Sequence, residues 1–375
     1  MGRLRPAVLP GHGMAGRRDG EGGLTMSQST DNVVHDRPPV AKTAAVGLFV
    51  LFTVLAGMLG PMQSAVNGRL GADLGDGHLA AIVSFGSGLV LMLVIILPRP
   101  STRRAFLSLP GHLRRGTLPW PNFFAGLCGA VIVLSEGISV GALGVATFQT
   151  ALISGMVISG VVCDRLGIGV PFKQALSIFR IVGAVLAVVA TVLVVSPNFE
   201  APHTLALVIL PFVGGLLAGW QPAGNSNIGK LASSMLVSIT WNFLVGFVAL
   251  TAVFLGRVAA GHASFALPDT WWMYLGGPLG LASIALMALL VRRLGLLLLA
   301  LASTAGQLVG SILIDSLIPG MGAVHVVTVL GALVALFASG IAMIPSRHVR
   351  DEATPRQVGS HDGIDPAPEA EEVRS

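Results

Sequence analysis

The sequence is short of charged residues. Asp, Glu, Lys and Arg make up 11% of its 375 residues, against roughly 25% in a soluble globular domain, and 53% of the residues are hydrophobic. Ten of the charged residues lie in positions 1–43 and eleven in positions 346–375, so the long body between them carries few. This distribution excludes an ordinary water-soluble domain and is typical of an integral membrane protein.

Motifs that carry chemistry are also missing. The two cysteines, Cys128 and Cys163, lie in apolar segments, which supports neither a disulfide framework nor a zinc knuckle. No His is spaced for metal binding, no phosphate-cradling Gly-Lys loop occurs, and no nucleophile has a base nearby in sequence. The scattered basic residues lack interleaved aromatics, so they do not form a nucleic-acid surface. The sequence therefore predicts no enzyme, no self-contained ATP-driven pump, no cofactor and no metal site.

Long apolar segments dominate what is present. A helix needs about 20 mostly apolar residues to cross a membrane, and ten such segments can be counted. They are centred on residues 44–65, 78–97, 121–141, 145–163, 179–196, 204–223, 234–255, 271–290, 295–313 and 323–344. The polar segments 1–43 and 346–375 are predicted to be disordered tails, with Met14 and Met26 as alternative starts to Met1.

The basic residues predict the orientation. With the N-terminus inside, 21 of the 23 Lys and Arg residues fall in the tails or in the inner connections, among them the loop 98–119. Only Arg69 and Arg257 fall on the outer side. Because basic residues accumulate in cytoplasmic connections, both termini are predicted to be cytoplasmic, which agrees with an even number of helices.

The chain also matches itself. A shift of 158 aligns Gln63 with Gln221 and Asn67 with Asn225, together with surrounding Gly, Ala and Phe residues, and the shift changes in loops to 151 and then to 148. Each copy holds five predicted helices, so the second copy would enter the membrane from the opposite side. Inverted repeats of this kind recur in secondary transporters. We therefore expect an all-α membrane protein with ten transmembrane helices as two inverted five-helix repeats, residues 44–197 and 198–345.

Several motifs carry a family resemblance. They are "GPMQSAVNGRLG" in the first hairpin, "SFGSG" and "NFLVG" in the second helix of each half, and "GQLVGSILID" in the ninth helix. Residues 44–345 resemble the YdcZ-type branch of the drug/metabolite transporter superfamily in its fused, double-length form. The resemblance implies an inner-membrane exporter. One departure is that Met156 stands where the second copy has Gln307, which weakens a polar role for that position in the first half.

Glu136 is the one acidic residue that interrupts an apolar helix. Charged groups inside a bilayer are costly and normally face the bundle interior or a wet cavity. At about 1.5 Å per residue, Glu136 lies in the outer part of its helix, where it could exchange a proton with the periplasm. A structural role, hydrogen-bonded to a neighbouring helix or reaching the outer interface, remains open. Its counterpart in the second copy is Met287.

The repeated amides are the next candidates. Gln63 and Asn67 share a helix face, as do Gln221 and Asn225, and nearby prolines should remove a backbone hydrogen bond in each copy. These side chains could line a cavity or hold helices together. Other candidates for the pathway are Gln149, Thr150, Trp241, Asn242 and Gln307.

Two further sets admit a structural role. Trp220 and Trp241 could stack on a substrate, although packing is the simpler role. Asp164 and Asp315 match each other at helix ends, where anchoring at the interface is favoured over ion binding.

The hypothesis from sequence is a secondary active transporter that exports a small metabolite or drug-like amphiphile by alternating access. Its partners would be the substrate, the lipid bilayer and protons, and the coupling residue would be Glu136. The alternative is a non-transporting membrane scaffold or assembly protein. The inverted repeat argues against that alternative, because a scaffold has no need for two-sided pseudo-symmetry.

Overall fold

The computed structural model describes residues 40–168, 173, 175–198, 202–319 and 324–344. The predicted C-terminal tail, and the N-terminal tail as far as residue 39, lie outside these ranges. The chain divides into two units, Met1–Thr43 and Ala44–Ser375, and the second of these contains the helix bundle.

Every regular element of the described residues is helical, which fits the all-α prediction. The α-helices are α1 (Val40–Gly57), α2 (Leu59–Leu74), α3 (Gly77–Ile96), α4 (Pro100–Arg114), α5 (Gly126–Leu143), α6 (Val145–Leu166), α7 (Ile178–Val195), α8 (Pro202–Ala218), α9 (Gln221–Leu231), α10 (Met235–Ala259), α11 (Gly276–Leu317) and α12 (Val326–Ala342).

Nine segments of the described chain are helical, long and apolar enough to cross a membrane. Two of them are formed by helix pairs, α1 with α2 and α8 with α9, and α11 supplies two because it is broken at Gly295. Helix α12 is equally apolar but has 17 residues in the described part of the chain. The predicted tenth span begins at residue 323, outside the described residues.

Glycines make the two sharp breaks between consecutive spans. Gly144, between α5 and α6, has φ 79° and ψ 160°, and Gly295, inside α11, has φ 74° and ψ 170°. Both values lie in the region that residues with a Cβ rarely adopt. We call the parts of α11 before and after Gly295 its first arm (276–294) and its second arm (296–317).

The largest apolar core lies among α3, α5 and α10, where Phe85 and Phe243 pack with their ring centroids 5.4 Å apart. Small residues permit the closest helix contacts. In the pair α7 and α12, Gly183 faces the Ala338 carbonyl and Gly331 faces the Ala190 carbonyl. Such small-residue contacts are the usual means of helix association in a membrane, where lipid competes with apolar side chains.

Many glycine contacts occur twice, at positions related by the shifts found in the sequence. A Cβ on Gly88 would meet the ring of Phe243, and one on Gly246 would meet the ring of Phe85. Three further contacts recur in the same way: Gly280 with Gln63 and Gly129 with Gln221; Gly306 with Val54 and Gly155 with Phe212; Gly277 with Ser84 and Gly126 with Asn242. Each of these four contacts between two helices is thus repeated between their counterparts.

Two elements differ from the sequence prediction. The segment read as a plain loop, 98–119, contains the amphipathic helix α4, which buries Leu109 against Phe123 and Val237 and exposes its arginines. Arg69, expected in an outer connection, lies inside α2 and pairs with Asp73 one turn further on, at 3.3 Å. Both segments were too polar to be recognised as helix from apolar run length alone.

An ion pair ties the connection between α2 and α3 to the end of α10. Both carboxylate oxygens of Asp76 accept hydrogen bonds from Arg257 Nη1, at 2.9 and 2.8 Å, and Oδ1 also caps α3 through the amides of His78 and Leu79. Burial alone would raise the pKa of Asp76, but the bonds from Arg257 and from the two amides outweigh it and hold that pKa below its ordinary value.

Candidate functional site: a buried carboxylate and an adjoining cavity

Glu136 lies on α5, 4% exposed, and each of its carboxyl oxygens has a partner. Ser64 Oγ donates to Oε1 at 2.8 Å, and Asn67 Nδ2 donates to Oε2 at 2.7 Å. Gln149 Nε2 on α6 donates in turn to Ser64 Oγ at 2.9 Å. We call Ser64, Asn67, Glu136 and Gln149 the carboxylate cluster. Three helices (α2, α5 and α6) thus meet at one ionisable group, as expected for a buried acid that must be hydrogen-bonded.

Glycines bring α2 and α5 close enough for these bonds. A Cβ on Gly71 would overlap the carbonyl of Gly137, and a Cβ on Gly68 would meet the side chain of Val140 at 2.5 Å. Gly137, the residue after Glu136, therefore contacts α2 one turn beyond Asn67. The short side chains of Ser64 and Asn67 reach the carboxyl group because the two backbones approach so closely.

Ser64 has a second possible acceptor. Its Oγ lies 3.2 Å from the carbonyl oxygen of Gly60, one turn back along α2. That turn lies at the break between α1 and α2, where Pro61 has no N–H to donate to the preceding turn. Gly60 also lies close to α11, since a Cβ on Gly60 would be 3.7 Å from Gln307 Cγ. One helical turn thus separates the carboxylate cluster from Gln307.

Gln307 lines a cavity of about 530 Å³ whose other lining residues come from α6, α7, the second arm of α11 and the α12 region. We call it the α6–α11 cavity. Its walls are mainly apolar, and polar groups reach it from Ser303, Thr304, Gln307, Asp164 and Arg180. Cavities of this size, mostly apolar with a few polar groups, are typical of sites for small organic molecules.

A second cavity, of about 660 Å³, lies between α2 and α11 towards the other end of the bundle. It is lined by Ala65, Arg69, Trp272 and Ile314 among others. Arg69 pairs with Asp73 at its edge. On α2 this cavity is lined by Met62, Ala65, Val66, Arg69 and Asp73, and none of the residues of the carboxylate cluster lines it.

The two matched aspartates have different partners. Asp315, 8% exposed, accepts from the amides of Val145 and Ala146 at 2.8 and 2.7 Å, and so caps the start of α6 from a distant helix. Asp164 lines the α6–α11 cavity and pairs with Arg180 at 2.9 Å. The interface anchoring expected from sequence does not describe Asp315, whose carboxylate is buried against backbone donors.

The predicted residues fall into groups. Asn67, Glu136 and Gln149 come together in the carboxylate cluster, and Gln307 faces the cavity. Gln63 and Gln221 are half-buried, and each packs against a glycine of the opposite half of the chain, at 2.6 Å from a Cβ on Gly280 and 2.9 Å from one on Gly129.

The remaining predicted residues lie away from the carboxylate. Trp241 donates its indole N–H to the carbonyl of Phe123 at 2.9 Å and packs against aromatic rings, which is a structural arrangement. Asn242 is buried beside Gly126, and its Oδ1 has no donor among the described residues. The backbone carbonyl of Asn225 accepts from Ser238, at 2.6 Å.

Sequence reasoning did not select Ser64 or Arg180. Serines are common in membrane helices and carry little signal singly, but Ser64 lies one turn from Gly60 and three residues before Asn67, on the side that faces α5. Arg180 was counted only as a topology signal, although Asp164 is the one acid among the described residues of the predicted inner connections.

A profile of the family described as "Putative inner membrane exporter, YdcZ" matches the chain twice, at residues 48–193 and 206–343. The chain belongs to the YdcZ family. The resemblance noted in the motifs is thereby confirmed, and the double match fits a double-length YdcZ protein. With its many apolar helices, this YdcZ-family chain is a multi-pass protein of the inner membrane, in a family of exporters rather than enzymes.

Two other comparisons add little. No curated protein matches the sequence. The structure is similar to a solved chain titled "Crystal structure of protein", with 14% sequence identity and a TM-score of 0.48 over 82% of this YdcZ-family chain and 99% of the other.

Proposed function

We propose that the chain is a ten-helix secondary transporter in which residues 44–197 and 198–345 are inverted repeats. The support comes from the contacts that occur twice: Gly88 with Phe243 is repeated by Gly246 with Phe85, at the shift of 158. A pseudo-two-fold axis relating the repeats accounts for such reciprocal pairs. If a helix of the first repeat contacts a helix of the second, the axis implies the same contact between their two counterparts. Transporters with this plan alternate by exchanging the conformations of their repeats.

The orientation follows the basic residues. The exposed arginines of α4, together with Arg165 and Arg292, belong to one end of the bundle, and the ion pair of Asp76 with Arg257 belongs to the other. We assign the first end to the cytoplasm. The α6–α11 cavity, with Asp164 and Arg180 at its edge, then faces the cytoplasm, and export would begin by loading substrate there.

The cavity's chemistry indicates the substrate class. Apolar walls favour an apolar or amphiphilic molecule, and the hydroxyl and amide groups of Ser303, Thr304 and Gln307 offer it hydrogen bonds. Asp164 and Arg180 neutralise each other at 2.9 Å, so they do not present a net charge. A small, largely apolar molecule with one or two hydrogen-bonding groups and no strong charge fits best.

The observation that carries the coupling proposal is the position of Ser64 between Glu136 and Gly60. When Glu136 is ionised, Ser64 donates its one proton to the carboxylate. When Glu136 is protonated, the carboxylic acid can donate to Ser64 Oγ, and the serine proton can turn to the Gly60 carbonyl, beside Gln307. Protonation of Glu136 thereby changes the hydrogen bonding at the α1–α2 break, next to the substrate cavity. Proton binding can in this way affect the position of these helices.

The test is transport by purified protein in liposomes under an imposed pH gradient, with a panel of uncharged amphiphiles and a fluorescent reporter of proton flux. Glu136→Gln keeps the shape of the side chain and removes the ionisable group, so substrate-induced proton flux is expected to fall to background while the protein still inserts. The matched control is Asp269→Asn, at an exposed acid outside the cluster, which is expected to behave as wild type.

Undiminished pH-driven transport by Glu136→Gln would refute proton coupling through this residue. Wild-type protein that moves no compound of the panel, but is recovered in a stable complex with another membrane protein, would support the scaffold alternative instead.

A further inference from the structure

Asp164 and Asp315 occupy equivalent positions in the two repeats but are bound differently. Asp315 is buried and accepts from two backbone amides of α6, those of Val145 and Ala146. Asp164 is 30% exposed at its side chain, pairs with Arg180, and lines the α6–α11 cavity. This pair thus marks a place where equivalent positions of the two repeats make different contacts.

The second repeat also contains the amides that Asp164 would need. The counterparts of Val145 and Ala146, at the shift of 151, are Leu296 and Leu297, which follow Gly295 as Val145 follows Gly144. Both glycines have nearly the same positive φ and extended ψ. Each precedes the first turn of a helical segment, and the amides of a first turn have no acceptor within their own helix. No side chain of the described residues accepts from the amide of Leu297, which lines the same cavity as Asp164.

The two ends of the pair formed by α6 and the second arm of α11 differ. Where Asp315 caps α6, the outer ends of α6 and the second arm of α11 are drawn together, and Ser311, one turn before Asp315, is fully buried. Asp164 does not make the equivalent contact, and the inner ends of the same two helices line a cavity of about 530 Å³. Gly160, the counterpart of Ser311, lies on the wall of that cavity.

We propose that Asp164 and Asp315 are the two latches of an alternating gate. In the state described, Asp315 holds the outer ends of α6 and the second arm of α11 together by capping α6. In the opposite state Asp315 lets go, and Asp164 leaves Arg180 to cap the second arm of α11 through the amides of Leu296 and Leu297, closing the inner cavity. This inference rests on the proposed function, because it assigns the latches to an alternating-access cycle.

The test measures which end is open, without any substrate. In a background carrying Cys128→Ala and Cys163→Ala, one reporter is Gly160→Cys, where a Cβ meets no atom within 4 Å, and the other is Ser311→Cys, a near-isosteric change. A membrane-impermeant maleimide is applied in turn to each side of liposomes containing the purified protein. With both latches intact, the Gly160→Cys reporter is expected to react and the Ser311→Cys reporter to be protected.

Removing the outer latch should reverse this pattern. Asp315→Ala, and more mildly Asp315→Asn, is expected to raise the labelling rate at Ser311→Cys at least tenfold and to lower it at Gly160→Cys. Arg180→Gln frees Asp164 and should shift labelling in the same direction. Asp164→Asn should keep Gly160→Cys reactive and Ser311→Cys protected, and Asp269→Asn should change neither reporter.

The proposal is overturned if the Asp315 variants move both reporters in the same direction, as local unfolding would, or leave both unchanged while the protein runs as a single species in detergent. Because labelling needs neither substrate nor a pH gradient, that failure is distinct from failure of the proposed transport, which is read from proton flux with intact latches.

Discussion

Ser64 holds the carboxylate cluster together, and Ser64→Ala tests that reasoning most directly. The substitution removes the donor to Glu136 Oε1 and the acceptor for Gln149 Nε2, which are 2.8 and 2.9 Å away. Both partners are buried in the bundle. Leaving a buried polar group unsatisfied costs about 1–3 kcal/mol, with more for a charged one, so Ser64→Ala should lower the free energy of unfolding by about 2–4 kcal/mol.

A matched control is available on α5. Ser139 is fully buried, and its hydroxyl donates only to the carbonyl of Ser135 in its own helix. Ser139→Ala deletes the same atom without leaving another side chain unpaired, so its cost should stay below about 1 kcal/mol. The measurement is unfolding of the purified protein in mixed micelles with increasing dodecyl sulfate, followed by circular dichroism.

A double-mutant cycle isolates the pair inside the cluster. Gln149→Leu alone should cost little, because Gln149 Oε1 already lacks a donor among the described residues. Combined with Ser64→Ala it should cost less than the sum, with a coupling of about 1 kcal/mol. Additivity to within about 0.3–0.5 kcal/mol, or equal losses for Ser64→Ala and Ser139→Ala, would refute the hydrogen-bond network.

Two further predictions concern the framework around the site. Gly246→Ala places a Cβ against the ring of Phe85 and should destabilise the fold by about 1–3 kcal/mol through overpacking. The added change Phe85→Leu should restore much of this stability in the same unfolding assay. A double variant without restored stability would contradict the packing. The lowered pKa of Asp76 means that the stability it contributes is present above its ordinary value of 3.8 and is lost as the pH falls through the lower folded value. Arg257→Gln should therefore reduce the acid-induced fall in melting temperature, and an unchanged profile would refute the role of this ion pair.

Local chemistry explains why parts of the site were visible from sequence. A carboxylate in an apolar run is costly unless it has partners, so Glu136 stands out whatever the fold. Asn67 was found because it recurs as Asn225, and Gln149 because amides are rare in such helices. The motifs of the first hairpin and the ninth helix also led to the family that the profile confirms.

The partners of these residues could not be found in the same way. Ser64 and Glu136 are 72 positions apart, and Asp315 is 170 from Val145. Their contacts depend on how closely helices approach, which glycines such as Gly71 decide only once their neighbours are known. Helix α4 was missed because its apolar residues face one side and its arginines the other, so no apolar run marks it.

The sequence by itself determined that this chain spans a membrane as a series of helices, because the length of an apolar run is a local property. It also determined that the chain belongs to a family of exporters, because a motif is local as well. Only the tertiary structure decided which polar groups meet. It joined Glu136 to Ser64, placed Gln307 on a cavity one helical turn away, and gave the matched residues Asp164 and Asp315 different partners. Equivalent sequence positions can hold different contacts because their partners come from distant helices, and the packing of those helices is not the same around the two positions.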